Sequence, residues 1–566
     1  MKKIFKYILM GAVVIGVSSC KKYLDINTNP NNFTSSTPAL VLPQAIVAAA
    51  ASNVSFSQTL ADISGARANA GGFGGFGDVV TYDFNTSTFA GLWTQSYDNA
   101  NDFQYVINET SADPTAVFST SIARIMKALV FERLVNQFND VPYSDALKGV
   151  ASLQPKYDKG PDIYKASIAD LDKAIADIIA GQAAGTSKIT AIPATADPLF
   201  GGTTVTAGVN GMDRWKQFAQ TIKLRMLIKM AGVPAHSAYA TAEFAKLSAS
   251  IGFLTADAVV QPGYVQRDRP SPVYSALGFS ATGTNVLTSR IPSKWIFSFY
   301  SGAKIIDPGR GSVIYRNFSS TTAPTPINQL GDESAGVPQV LAAGSTWNTS
   351  TANTNTIGIA KSPTQATPML LLTESKFLQA EAVLRGYITT ALTGGSSAEA
   401  LYSQGITASF NYLYKDGTGA VPSTKNPTTD AATYLTANSV AGNIIGNNLT
   451  NWNEQRTQNP TTSVITTAVP TTEQRIERII TQKYIALNSI ANDENYNEFR
   501  RTGYPAVVNN AANDPLSTFA SRQSVSTHSD KLPTRVLYPQ EEYNLNPVNA
   551  PAGINKFSSL IFWDLN

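Results

Sequence analysis

Residues Ile122 to Pro142 read IARIMKALVFERLVNQFNDVP. Ile122, Ile125, Met126, Leu129, Leu134 and Phe138 recur at the spacings that line one face of an α-helix, and Asn139-Asp140-Val141-Pro142 ends it, since proline cannot continue the hydrogen-bond ladder. The same period returns further along the chain. Pro161 opens a helix whose Tyr164, Ile168, Leu171, Ile175 and Ile178 are spaced by alternating fours and threes. Trp215, Phe218, Ile222 and Met226 share one side of the next, and Lys216, Lys223 and Lys229 around it read as a solvated face rather than a phosphate site. Leu370 to Arg385, stopped by Gly386, reads as another helix. Ser396-Ser-Ala-Glu399 reads as a capping box for a helix through Tyr402, Ile406, Phe410 and Leu413. A last helix runs from Arg475 to Ile490. Between Ile251 and about Pro368 the period vanishes, and Gly, Pro, Ser, Thr and Asn punctuate every few residues. Stretches of that length without regular structure are uncommon in a compact body unless they carry function. The fold class is therefore mainly α, with long irregular loops and a few short strands.

Composition narrows the functional classes. Removal of residues 1–19 takes Lys2, Lys3 and Lys6 and no acid from 43 Lys+Arg and 40 Asp+Glu, leaving 40 against 40. A neutral chain without a run of like charges exerts no field on nucleic acid or an anionic surface, so no nucleic-acid partner is expected. The two histidines, His236 and His528, are far apart in sequence, which argues against a clustered metal site or a Ser-His-Asp triad, and no cofactor is expected. Glu374 and Glu381 lie two turns apart on one helix face, about 10.5 Å along the axis. That is too wide for a retaining glycosidase pair and marginal for an inverting one. They read as packing residues held by Arg or Lys.

The N-terminus has a basic start, an apolar run from Ile8 to Val17 too short to span a bilayer, and Val17-Ser18-Ser19-Cys20. Residues 1–19 read as a secretory signal, and the four last residues resemble the bacterial lipoprotein box. Cys20 is the only cysteine, so an exported chain can form no internal disulfide. Cys20 is read as the lipidation site (palmitate or a related acyl chain), the alternative being an ordinary signal cut elsewhere. Several acyl chains hold stably where one is marginal, so the chain is expected to be tethered to the membrane without crossing it. Residues 20–33 form a polar tether with a turn at Asn29-Pro30, and 34–566 follow as one domain, since no clear linker divides them.

Gly65 to Asp78, GARANAGGFGGFGD, contains Gly72-x-Gly74-x-x-Gly77. A dinucleotide fingerprint needs a strand before it and a helix after it. Ala66 to Ala70 does not read as a strand and the residues after Asp78 read as extended, so a loop bearing Phe73 and Phe76 is the better reading. Trp93, Tyr97 and Asn101 then share a helix face. The stripe reads as core, the alternative being that Trp93 or Asn101 faces a ligand, because aromatic faces stack on sugar rings and Asn both donates and accepts.

Several stretches carry a resemblance in shared order. Tyr23-Leu-Asp-Ile-Asn-x-Asn-Pro30 after Cys20, a helix start at Leu42, Pro43 and Ala45, Phe138-Asn-Asp-Val-Pro-Tyr-Ser-Asp-Ala-Leu147, Gln154-Pro-Lys-Tyr-Asp158, Trp215-x-x-Phe-Ala-x-x-Ile-x-x-Arg225, Glu374-x-x-Phe-x-x-Ala-Glu-Ala382, Gln482-Lys483, Glu498-Phe-Arg-Arg-Thr-Gly-Tyr-Pro505 and Pro533-x-Arg-x-x-Tyr-Pro-x-x-Glu542 are similar to the motifs of the SusD/RagB-type nutrient-binding outer-membrane lipoproteins. The resemblance implies a tetratricopeptide-like scaffold of helical pairs. It implies a lipid-anchored, non-catalytic protein facing the outside of the outer membrane, which captures an oligosaccharide and delivers it to a TonB-dependent SusC-like barrel. A peptide ligand within the same family, a surface glycoside hydrolase and a purely structural or adhesive surface protein remain as alternatives. Lys21-Lys22 after the cysteine depart from the acids that often accompany surface export.

Loops projecting from helical scaffolds carry recognition. Aromatics stand outside helical periodicity in two segments, Gly65 to Tyr82 and Tyr264 to Trp347, and a shallow site is expected where these meet. Phe73, Phe76, Tyr82, Trp93, Tyr274 and Trp347 are the candidate stacking platforms and Arg67, Asp78 and Asn101 the polar partners.

Overall fold

The helix read from Ile122 to Phe138 spans Val117–Phe138 in the computed structural model of the chain. It stops where expected. Asn139 takes a positive φ of 66° while its N–H still reaches the Val135 carbonyl at 2.9 Å. The residues described are 36–71, 76–185, 187–206, 208–280, 282–316, 318, 328–332, 347–349 and 355–566, so the signal, Cys20, the tether and Phe73 lie outside them.

The first six long helices are α1 (Pro38–Leu60), α2 (Ala90–Thr110), α3 (Val117–Phe138), α4 (Gly160–Ala184), α5 (Gly211–Ala231) and α6 (Pro234–Phe244), each packed on the next. Two short helices, α7 (Lys294–Ser301) and α8 (Pro308–Ile314), lie in the irregular middle. Then come α9 (Leu372–Leu384), α10 (Ala398–Tyr414), α11 (Pro427–Asn438), α12 (Thr472–Leu487) and α13 (Asn492–Thr502). Helices α9 and α10 pair, α12 packs on α9, and contacts of α13 with α1 and of α9 with α5 join the halves. Short connections fold consecutive helices back on one another, giving the tetratricopeptide-like arrangement of pairs. Buried apolar residues from Leu42 to Trp563 form one continuous cluster. Helix α1 is long and apolar enough to cross a membrane, but half of its apolar window is buried in the body. Its Asn53 donates to the Pro368 carbonyl at 2.7 Å, and Asn99 of α2 donates to its Ala45 carbonyl at 2.9 Å.

Helix ends depart from expectation in instructive ways. Helix α1 starts at Pro38, with Pro43 inside it. Helix α9 starts at Leu372 because Thr367–Leu370 are drawn into a strand. The cap of α10 is Ser397, accepting from the Ala400 N–H at 3.2 Å, while Glu399 turns to Asn453 instead of closing a box with Ser396. A full capping box stands at α12, where Thr471 accepts from the Gln474 N–H at 3.2 Å and Gln474 accepts from the Thr471 N–H at 2.9 Å. Thr471→Ala is expected to cost about 1 kcal/mol, read as a lower urea midpoint; an unchanged midpoint would show the box to be idle.

The lysines of α5 are the largest correction. Lys223 and Lys229 are both 1% exposed, and only Lys216 lies near the surface. Lys223 meets Asp172 at 2.7 Å and Glu243 at 2.8 Å; Lys229 meets Glu494 at 3.0 Å. Isolated buried charges are too costly to persist, so each has drawn carboxylates from neighbouring helices. Arg225 of the same helix binds Glu132 of α3 through Nε at 2.9 Å and Nη2 at 2.6 Å, and Glu374 of α9 at 3.1 Å. Lys483 of α12 meets Glu494 of α13 at 3.1 Å, and Arg501 of α13 grips Glu381 at 2.7 and 2.8 Å. Glu374 and Glu381 are thus held by cations, as the sequence reading expected, and neither is placed to act as acid or base. Burial pushes the Glu381 carboxyl up, but the Arg501 and Arg385 guanidiniums outweigh it and hold it down at about 2.

Among the described residues every sheet has two strands, all antiparallel. Strand β1 (Arg67–Asn69) is discussed with the site. Strands β2 (Val141–Pro142) and β3 (Tyr157–Asp158) pair just after α3. Asp158 accepts from the Tyr143 and Ser144 N–H groups at 2.9 and 2.8 Å. The Tyr157 hydroxyl donates to Glu542 at 2.6 Å, and the Tyr538 hydroxyl lies 2.8 and 2.7 Å from the Phe138 and Asp140 carbonyls. Three motifs far apart in sequence therefore form one framework knot, holding the C-terminal segment against the end of α3.

Candidate functional site

The two loop-rich segments do meet. Strand β1 pairs with a strand at Arg290–Pro292, with Arg67 opposite Pro292, Ala68 opposite Ile291 and Asn69 opposite Arg290. Ile291 precedes a proline and is thereby biased to extended backbone. The chain leaves α1 through Gly65, whose φ is +81° and where a Cβ would lie 2.6 Å from that of Phe519, so only glycine fits this turn. The expectation that Ala66 to Ala70 is not a strand is corrected at Arg67–Asn69, which finds its partner 223 positions later in the register. Ser293 donates to the Gly65 carbonyl at 2.5 Å and Asn328 to the Asn69 carbonyl at 2.9 Å, so the junction is pinned on both sides.

One buried carboxylate organises its charge. Asp62, at the foot of α1, lies 3.2 Å from Arg67 and 2.9 Å from Arg290. Two guanidiniums on one carboxylate leave an excess positive charge. Arg67 is buried, and burial pulls its guanidinium below the ordinary value while Asp62 opposes that. Arg290 is 28% exposed, with its guanidinium 4.6 Å from the Phe76 ring centroid. The surface thus offers a partly exposed cation stacked on an aromatic ring, with Arg522 ion-paired to Asp332 at 2.8 Å nearby in the same network of chain contacts. Such a surface can donate several hydrogen bonds to a ligand rich in oxygen.

Burial separates the candidate residues. Phe76 is at the junction, almost fully covered. Phe73 lies outside the described residues. Tyr82 is buried, its hydroxyl accepting from the Ser521 N–H at 2.9 Å. Trp93 is buried in an aromatic cluster with Phe138 at 5.0 Å and Tyr538 at 5.8 Å between ring centroids. Tyr274 is buried, and Trp347 is buried with its indole N–H donating to Ser489 at 2.9 Å. The expectation that Phe76, Tyr82, Tyr274 and Trp347 stand exposed is corrected, whereas Trp93 is core, the first reading of its stripe: each large ring gains more from covering its apolar area than loop position suggests. Arg67 is a buried partner of Asp62. Asp78 is half-buried, accepting from Asn85 at 2.5 Å and Thr88 at 3.0 Å, and Asn101 is exposed on α2. Sequence reading missed Asp62 and Arg290. The signal for Arg290 was available in Arg290-Ile291-Pro292, a short extended stretch before a proline; Asp62 offered none. Among the described residues no group of three or more His, Cys, Asp or Glu could hold a metal ion.

Comparison with known proteins agrees with this architecture. A chitin-binding SusD homolog from Flavobacterium johnsoniae is 19% identical, with 93% of this chain and 99% of that chain covered and a TM-score of 0.64. A SusD homolog from Bacteroides uniformis is 20% identical over 93% of this chain and 99% of its own, with a TM-score of 0.63. At these identities the likeness establishes the fold. No curated protein sequence matches significantly. The SusD-like family described as "Starch-binding associating with outer membrane" matches residues 30–539, and the chain belongs to that family of nutrient-binding, outer-membrane-associated proteins.

Proposed function

We propose that the protein is a non-catalytic surface lipoprotein, anchored through Cys20, which captures an oligosaccharide at the β1 junction and passes it to a TonB-dependent SusC-like barrel. The observation that carries this reading is the meeting of the two loop segments, with Arg290 stacked on Phe76 over Asp62. A guanidinium spreads several N–H donors in a plane, which suits hydroxyl-rich ligands, and the covered Phe76 ring holds that plane in position. Family membership supports the ligand class, and the chitin-binding relative makes chito-oligosaccharides a natural second probe beside malto-oligosaccharides. Of the sequence candidates, Phe73, Asp78 and Asn101 remain proposed contacts. The covered Phe76 and Arg67 support the junction from within.

Calorimetry against malto- and chito-oligosaccharides tests the reading. With a ligand in hand, Arg290→Ala is expected to weaken binding by about 1–2 kcal/mol with folding retained, as removal of a partly exposed anchor does. Undiminished binding would move the site elsewhere. Cys20→Ser is the companion test of the anchor, with release into the soluble fraction as the expected result.

A further inference from the structure

A second cavity lies between β4 (Ala258–Val260), the segment around Lys361 and the turn after α10. Its volume is about 290 Å³, at the small end of ligand pockets, and none of its lining residues belongs to the β1 junction. Lys361 is 4% exposed. Its ammonium donates to the Tyr412 carbonyl at 2.5 Å and sits 4.2 Å from the Tyr412 ring centroid, and among the described residues it has no carboxylate within ion-pair distance. Tyr412 is 5% exposed and lines the same cavity, and its buried hydroxyl has no partner among the described residues.

Most of the side-chain acceptors around this cavity are already engaged. Gln365 Oε1 accepts from the Lys361 and Ser362 N–H groups at 2.5 and 3.1 Å; Gln261 Oε1 accepts from Gly263 and Tyr264 at 3.1 and 2.9 Å. Asp257 accepts from the Leu372 N–H at 3.0 Å and from Lys415 at 2.9 Å, and Asp416 Oδ1 is occupied by Thr418 and Ala420, with Oδ2 left open among the described residues. What remains is mostly donors: N–H groups on Lys361 and Lys415, one amide hydrogen on each glutamine, and the Tyr412 hydroxyl. A buried ammonium without a counter-ion and a buried hydroxyl without a partner are each costly unless something supplies their acceptors.

We propose that this cavity is a second binding site, which takes a small carboxylate of about monosaccharide size with its carboxylate on Lys361 Nζ and its other oxygens on the Tyr412 hydroxyl and the glutamine amides. The ligand supplies the missing negative charge. Burial lowers the Lys361 ammonium to about 7; Asp257 opposes this, Lys415 adds to it, and Asp416 opposes it. An anion binds the protonated amine, so affinity is highest below about pH 7 and falls above it, and binding above that pH draws a proton into the site.

Calorimetry on the full chain with D-glucuronate and its uncharged methyl ester tests this, at about pH 6 and about pH 8.5 to bracket the lysine. Glucuronate is expected to bind at the lower pH, at least about ten-fold more weakly at the higher, and the ester at least about ten-fold more weakly than the acid. Lys361→Met is expected to abolish glucuronate binding and Tyr412→Phe to weaken it several-fold. Equal binding of acid and ester overturns the proposal, as does no binding of glucuronate at the lower pH or parental affinity in Lys361→Met. The comparison of acid with ester uses the unaltered chain, so it stands even if a variant does not fold.

Discussion

Arg225→Met is expected to cost about 3–5 kcal/mol of folding stability, the range for removing one partner of a buried ion pair. The side chain is 5% exposed and holds two carboxylates at once, Glu132 through a two-pronged contact and Glu374 through Nη1. Methionine keeps length and apolar packing, so the loss reads the charge rather than a cavity. Without Arg225, among the described residues Glu132 keeps Lys229 at 3.7 Å and Glu374 keeps Lys483 at 3.5 Å, and both lysines are already shared with Glu494, leaving two cations for three carboxylates out of water. Urea unfolding of Arg225→Met, Glu132→Gln and the double variant measures the coupling. A single-variant loss below about 1 kcal/mol, or strict additivity in the double, would show that the network contributes little.

The network matters for recognition because it fixes what the loops stand on. Glu494 belongs to α13, whose Asn492 donates to the Ser57 hydroxyl and carbonyl of α1 at 3.2 Å each. Tyr484 of α12 donates to the Ser64 carbonyl at 2.8 Å, one residue before the Gly65 turn into β1. The buried charges thus bear, through two helices, on the segment that positions Asp62 and the Arg290 strand. Preorganised binding surfaces need such support, since loops held in place pay less ordering entropy on binding.

The parts of this fold legible in the sequence were those with a local cause. Helix α3 and its stop at Asn139 follow from the period of Ile122 to Phe138 and from Pro142. Residues such as Arg225 and Lys483 could be matched to family motifs, yet their purpose could not be read, and for Glu374 only the kind of partner was legible, because an ion network depends on which helices face each other. That is why Lys223 and Lys229 read as surface: on one helix their spacing is that of a solvated face, and the carboxylates that pair with them lie on α3, α4, α6 and α13. The site shows the same division. The meeting of the two loop segments was legible as a pairing of regions, whereas Trp347 and Tyr82 were misread as exposed because nothing local shows that Ser489 and Ser521 wait for them.

Stability is expected to fall steeply once the pH drops below about 4. Glu381 is 1% exposed and titrates at about 2 in the folded chain against an ordinary value of 4.5. A depressed carboxyl contributes stability that is complete above its unfolded value and lost as pH falls toward its folded one, here about 3 kcal/mol between about pH 4.5 and 2. Glu494 adds in the same direction, since burial raises it but Lys229, Lys483 and Arg225 outweigh that and hold it well below the ordinary range. Asp493 and Asp564 act the other way. Burial raises both to about 6, against the Arg133 and Arg500 guanidiniums respectively, so the folded state gains as pH falls through that value. Each aspartate gains about 3 kcal/mol between pH about 6 and its ordinary value of 3.8, so the profile should rise from about pH 6 toward about 4.5, level off where the glutamate losses offset that gain, and drop below about pH 4. Urea midpoints across this range on the parent and on Glu381→Gln provide the check. The variant, less stable near neutrality because Arg501 and Arg385 lose their charged partner, should show a shallower acid slope than the parent. Equal slopes would assign the acid transition to other carboxylates, and a parent profile flat from pH about 4 to about 2 would remove the claim that these buried pairs set it.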